Sequence, residues 1–262
     1  MNSKSKLSLL LVGIVATCAA FLFRNVYQSR ALNTQDTFIV GTSAGYAPYA
    51  SINEQGEYEG FDIDVARAIA EKLNKKLVLK DLGSMTSLMM GLDQKSLDAI
   101  IWGVSITEAR LKKYTMIHYQ GSVTDSYPLL FWQKAPADIK MFDDLKGLKI
   151  CVEPSSSQSA ALGRYSNINI LPVERVDDAL LNIQYGKADA ALVEYAIANK
   201  FARKFPEIKI VSLALNPEDQ EFGCGIVLEK ENNALSQKIQ RIIDELKADG
   251  TLQRLAKQWN LE

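Results

Sequence analysis

Two kinds of side chain along this sequence could hold a small charged molecule. Ser156 and Ser157 follow the apolar run KICV, on a loop that opens a predicted helix, SSSQSAALGRY. Unpaired backbone N–H groups at a helix start favour an anion, although a hydroxyl run in that place is also an ordinary helix cap. Arg110, in SITEAR, carries a planar two-pronged donor that suits a carboxylate; taken by position alone it reads as a surface arginine in a salt bridge. Glu153 and Glu194 are the acids in strand-end and helix-start positions that could answer a cation or serve as a general acid or base. The plain reading of Glu194 is a solvated acid at a helix start. His118 is the sole histidine, and no Cys/His cluster has metal-ligand spacing. A zinc site and a Ser-His-Asp triad are both poorly supported, and no cofactor or metal is expected.

The charge balance narrows the partners. Residues 1–31 hold Lys4, Lys6, Arg24 and Arg30 and no acid, so the rest of the chain carries 26 basic against 31 acidic residues. A net acidic body lacks the basic footprint of a general nucleic-acid binder. The basic start is followed by an uncharged run, Leu7 to Phe23, which reads as a secretory signal. Cleavage after Ala20 or Ala31, retention as a membrane anchor, and lipid attachment at Cys18 remain open alternatives. All three export the body, to the periplasm or another extracytoplasmic space. Cys151 and Cys224 could pair in an oxidising compartment, but both lie in strand-like apolar segments, where a buried free thiol is the simpler state.

The elements that must position these residues alternate. FIVGTS (38–43) reads as a strand, and GFDIDVARAIAEKL (60–73) puts Ala66, Ile69, Ala70 and Leu73 on one helical face. LVLKDL (77–82) is a strand, Ser84 to Asp93 a helix, and DAIIWGV (98–104) a strand, after which Thr107 can cap a short helix at 108–112. A second series runs KICV (149–152), NINIL (167–171), a helix Val176 to Tyr185, a short strand Ala190 to Val193 and KIVSL (209–213). GCGIVLE (223–229) returns toward the first unit, and two C-terminal helices are broken at Asp249-Gly250. Strands alternating with helices predict two α/β units, each built on a parallel-rich sheet.

Four of these segments, in register, resemble the periplasmic polar amino-acid-binding proteins, the solute receptors of ABC importers: GTSAGYAPYASINEQGEYEGFDIDVARAIAEKL, DAIIWGVSITEARLKKY, KICVEPSSSQ and DGTLQRLAKQWNLE. The resemblance covers roughly residues 36–262. It implies a two-lobed periplasmic-binding-protein fold (type II), with lobe 1 over 36–128 plus 224–262, lobe 2 over 129–223, and crossings near Leu129 to Trp132 and Glu221 to Gly225. It also implies a monomeric receptor that closes on one free amino acid and delivers it to an inner-membrane ABC permease.

Carried over residue by residue, Arg110 stands at the family's carboxylate-binding arginine, and Ser156 and Ser157 grip the same carboxylate from the other lobe. Glu194 stands where many members have Asp for the ligand's ammonium, with the Gly103 carbonyl and the Ser105 hydroxyl as further acceptors. Tyr46 matches the aromatic covering the ligand side chain. Four positions depart from the common pattern. Ser43 replaces an acid found in receptors for basic amino acids, Met85 replaces an aromatic, Trp102 replaces a small residue, and Glu153 lies at a pocket position often apolar or basic. If Glu153 supplies the missing negative charge, the pocket favours Arg or Lys, with Gln or His as alternatives; a Trp102 in the core and an exposed Glu153 form the rival arrangement. The same fold also hosts cyclohexadienyl-dehydratase-like enzymes, in which Glu194 or Glu153 would act on a proton.

Overall fold

The structure, a computed structural model, describes residues 37–261. The run Leu7 to Phe23, Cys18 and the cleavage sites expected near it lie outside the described residues. Among the described residues no helix is long and apolar enough to cross a membrane.

Strand β1 (Thr37–Thr42) leads to a small antiparallel pair, β2 (Ser51–Ile52) and β3 (Tyr58–Glu59), and then to helix α1 (Phe61–Lys72). Gly60 makes that entry feasible. Its φ is 130°, and a Cβ there would lie 2.2 Å from the Tyr49 carbonyl oxygen, a conformation and a closeness only glycine tolerates. The chain continues through β4 (Lys76–Asp81), α2 (Met85–Asp93), β5 (Ala99–Ile100), α3 (Glu108–Lys113) and the long strand β6 (Tyr114–Thr124). As the sequence predicts, Thr107 caps α3, its side chain accepting the Arg110 N–H.

At Asp125 the chain leaves this unit. Strand β7 (Ser126–Trp132), β8 (Lys149–Val152), α4 (Ser157–Leu162), β9 (Asn169–Pro172), α5 (Val176–Gln184), β10 (Ala190–Leu192), α6 (Tyr195–Lys204) and β11 (Ile208–Ala214) form the second. Strand β12 (Glu221–Glu229) then re-enters the first, followed by α7 (Asn233–Ala248) and α8 (Thr251–Gln258).

Each unit holds one five-stranded sheet, in the orders β4-β1-β5-β12-β6 and β11-β7-β10-β8-β9. The helix-connected strands pair in parallel (β1 with β4 and β5, β8 with β9 and β10), whereas β12 and β7, which adjoin the crossings, pair antiparallel with both neighbours. Both sheets are therefore evenly mixed, because the strands that carry the chain between lobes cannot make a right-handed helical crossover. The chain passes from the first sheet to the second between Thr124 and Ser126 and returns between Ala214 and Glu221. The apolar stripe of α7 (Ile239, Ile242, Ile243, Leu246) is buried, and each such side chain contributes roughly 1.5–3 kcal/mol. Cys151 and Cys224 are free and buried.

Candidate functional site

The polar residues singled out in the sequence meet where the lobes face each other. Arg110, in the last turn of the short α3, reaches across: one terminal nitrogen donates to the Ser105 carbonyl at 2.8 Å on its own lobe, the other to the Ser155 carbonyl at 3.0 Å on the second. Ser155 also meets Thr86 hydroxyl to hydroxyl across the gap at 2.8 Å. Burial lowers the Arg110 guanidinium from its usual range, and the carboxylates of Glu221, Glu194 and Glu153 act in the opposite sense. Arg110 is therefore a guanidinium set among three acids, and Arg175 lies farther out, lining a recess with Glu153 and Glu174.

The serine loop divides its labour. Ser156 is the N-cap of α4. Its hydroxyl accepts the Ser159 N–H at 3.0 Å and donates to the Glu153 carbonyl at 2.7 Å. The plain cap reading holds for that side chain, and any anion would meet the backbone of this turn. The Ser157 hydroxyl instead donates to the Glu221 carboxylate.

Glu194 follows β10 and begins α6, yet its side chain does not cap the helix. It is no solvated acid. Its carboxyl is raised well above the usual range, first by burial and then by the nearby Glu221 charge, while a hydrogen bond with Tyr46 and the charge of Arg110 act against that. Glu153, at the end of β8, is pushed up to about 7 chiefly by burial, even though the Met85 N–H bonds to it across the lobes. Glu153 is half-buried rather than exposed, whereas the other half of the rival arrangement, a Trp102 buried in the core, is what the structure shows.

The aromatic wall belongs to the first lobe. The Tyr46 ring lies 4.9 Å from Trp102 and 5.6 Å from Tyr49, centre to centre. The Trp102 indole N–H is fixed at 2.8 Å on the Ser43 carbonyl, so Trp102 braces Tyr46 and lines a recess with Ser43 and Glu153. Gly103 bends at φ 55°, and a Cβ there would sit 3.2 Å from the Tyr46 ring. Its N–H donates to Asp62 at 2.6 Å, and the Tyr119 hydroxyl donates to the other carboxyl oxygen at 2.6 Å.

Three cavities adjoin this cluster. Two are small: one of about 20 Å³ lined by Tyr46, Glu153, Ser156 and Glu194, and one of about 10 Å³ beside Ser43, Tyr46, Trp102 and Glu153. The third, about 580 Å³, runs from Ser105, Glu194, Gln158 and Glu221 toward the polar face of α6. Met85, Gly103, Arg110 and Ser157 do not line these spaces and join the cluster through the hydrogen bonds and contacts given above.

Sequence reasoning missed three members. Glu221 opens β12 and is 7% exposed. Gln158 is 4% exposed, lines two of the cavities, and its side-chain nitrogen has no partner; its place directly after the serine pair was the available signal. Asp62 is fully buried, and its helical register with Ala66, Ile69 and Leu73 marked it as an acid on an apolar face.

Two α/β units linked by two crossings, with charged side chains of both meeting in the cleft, define a two-lobed solute-binding protein. The chain belongs to the bacterial extracellular solute-binding proteins, family 3, whose model matches residues 38–262. A probable ABC transporter arginine-binding protein of Chlamydia trachomatis serovar D is 31% identical over 253 residues, covering 95% of this chain and 96% of the relative. Among solved structures, an ancestral arginine-binding protein bound to arginine is 28% identical with a TM-score of 0.74, covering 86% of this chain and 98% of that one. An ancestral arginine-binding protein bound to glutamine gives the same identity and TM-score, covering 87% and 99%. The protein is thus an extracytoplasmic binding protein of transport and not an enzyme, and the dehydratase alternative falls with that membership.

Proposed function

We propose that this protein binds one free basic amino acid, arginine or lysine, between its lobes and hands it to an inner-membrane ABC permease. It works as a monomer, exported by its first 31 residues. The observation that carries the reading is the acidity around Arg110: the charges of Glu153, Glu194 and Glu221 all act on its guanidinium, and the side-chain recess holds Glu153 and Glu174 beside Arg175. A zwitterion with a neutral side chain, such as glutamine, would leave that excess of acid unanswered. An added side-chain cation answers it. The relatives named for arginine support the same choice.

In this reading Arg110 and the α4 entrance, with Ser156, Ser157 and Gln158, receive the ligand carboxylate, giving up the present carbonyl contacts of Arg110. Glu194, with the Gly103 carbonyl and Ser105, receives the α-ammonium. Tyr46, braced by Trp102, covers the side chain, and its cation meets Glu153 beside Ser43 and Met85. A ligand gripped by both lobes selects the closed arrangement.

Thermal melting of the purified protein against all twenty amino acids tests this, since a ligand that binds only the native state raises its stability. Arginine or lysine should give the largest upward shift, and agmatine, which lacks the carboxylate, a far smaller one. A flat panel would sink the receptor reading, and comparable shifts for arginine and agmatine would sink the Arg110 assignment.

A further inference from the structure

The recess beside Tyr46 and Glu153 is closed unevenly. Its inner wall is fixed: Trp102 is pinned on the Ser43 carbonyl, Tyr46 packs against it, and both rings are more than nine-tenths buried. On the first lobe its outer rim is nearly bare backbone, made of Ala44, Gly45 and Gly83. Gly45 has φ 94°, a conformation that favours glycine, and a Cβ there would lie 3.0 Å from a terminal nitrogen of Arg175 and 3.6 Å from its Cζ. A guanidinium of the second lobe thus covers the rim of the first. Arg175 stands at the start of α5, where its carbonyl accepts the Asp178 N–H at 3.0 Å. That backbone is tied, but the side chain is not. It is exposed and does not cap α5, and among the described residues no hydrogen bond or ion pair holds it. Glu174 beside it is also exposed, and its charge acts on Glu153.

Resting on the reading that this recess receives the ligand's side chain, we infer that Arg175 is a specificity-determining residue: its side chain is the outer wall of the recess and fixes the longest ligand the protein accepts. Bulk does this. With the ligand's cation at Glu153, one further methylene pushes the end of the side chain outward into the space the guanidinium fills over Gly45. The inner wall has no room to take up that length, because Trp102 and Tyr46 are held. The remaining relief is to displace Arg175, which gives up its packing on the first lobe. A methylene too many in a shaped pocket costs about tenfold or more in discrimination. Nothing else in the recess bounds it on that side, since Gly45 and Gly83 carry no side chain to do so.

Calorimetric titration of the whole protein with arginine and homoarginine reads the wall directly, because homoarginine is one methylene longer and keeps every N–H of arginine. Homoarginine should bind at least about tenfold more weakly than arginine. Arg175→Ala should narrow that ratio to within about threefold, by tightening homoarginine. The melting temperature of the ligand-free protein should not fall, since the exposed side chain has no partner to lose. Arg175→Met keeps most of the length without the charge and should retain the exclusion. Homoarginine as tight as arginine in the unsubstituted protein, or still excluded in Arg175→Ala, would overturn the wall. Exclusion lifted as fully by Met as by Ala would overturn bulk as its basis. Arginine itself failing to bind would instead refute the amino-acid reading, a result distinct from arginine binding while the ratio ignores Arg175.

Discussion

The two lobes bury acids in different ways. On the first, Asp62 lies beneath the ligand loop with a fixed donor for each oxygen, the Gly103 N–H and the Tyr119 hydroxyl. On the second, Glu153 and Glu194 are desolvated beside cavities, and the charge of Arg110 eases both. Burial raises all three carboxyls, so desolvation alone does not tell a structural acid from a binding one. Partners do. Asp62 is satisfied by its own lobe, and it pins Gly103 at the positive φ that brings the loop against Tyr46. The second-lobe acids face outward and depend on something arriving from across the cleft.

That contrast breaks most visibly with paired substitutions. Glu194→Gln should weaken arginine about a hundredfold, by loss of a charged, desolvated contact, with no fall in the melting temperature of the ligand-free protein. Asp62→Asn should do the reverse. An amide offers one acceptor oxygen where two donors converge, which costs about 1–3 kcal/mol of stability, and calorimetry should show a far smaller effect on arginine affinity than Glu194→Gln produces. If Asp62→Asn leaves the melting temperature untouched while abolishing binding, the two acids have been assigned the wrong way round.

Within the second lobe, Glu153 and Glu194 should differ in what they select. Glu153→Gln is expected to weaken arginine about tenfold and glutamine much less, because Glu153 lines the recess of Tyr46, Trp102 and Ser43 in addition to the small cavity it shares with Glu194. Parallel titrations with the two amino acids check it. Equal losses for both, or no loss for arginine, would end the claim that Glu153 reads the side chain.

Which of these residues could be found beforehand follows from how local their signals are. Arg110, Ser156 and Ser157 sit at strand–loop–helix junctions, where Thr107 and Ser156 cap their helices through bonds within three residues in sequence. Such signals survive in a linear chain. Glu221 meets Ser157 and Tyr127 across 64 and 94 positions, and nothing in QEFGCG announces those partners. Strand β6 was likewise hidden, since it pairs with β12 about a hundred residues later and no helix marks the connection. Trp102 shows the intermediate case. Its type and place were legible, but its indole bond to the Ser43 carbonyl, which makes it a brace rather than a free aromatic face, depends on a fold that closes 59 positions.

The smallest effect is in pH, and it separates Asp62 from Glu153 by sign. Both carboxyls lie near 7 in the folded protein, raised chiefly by burial, against unfolded values of about 4. Between those limits the unfolded chain has released protons that the native protein keeps, so raising the pH favours unfolding. Stability of the ligand-free protein should therefore fall from about pH 5 to about pH 7 and level off above it. Arginine needs Glu153 ionised, so its affinity should rise over the upper part of that range, by about fourfold between about pH 6.5 and about pH 8 for a single group with a value near 7. Glu153→Gln should flatten this rise in affinity and leave the part of the stability slope that belongs to Asp62. Melting curves and titrations at matched pH read the two separately. If the affinity slope survives in Glu153→Gln, another group, with Glu194 the first to examine, carries the proton that arginine displaces.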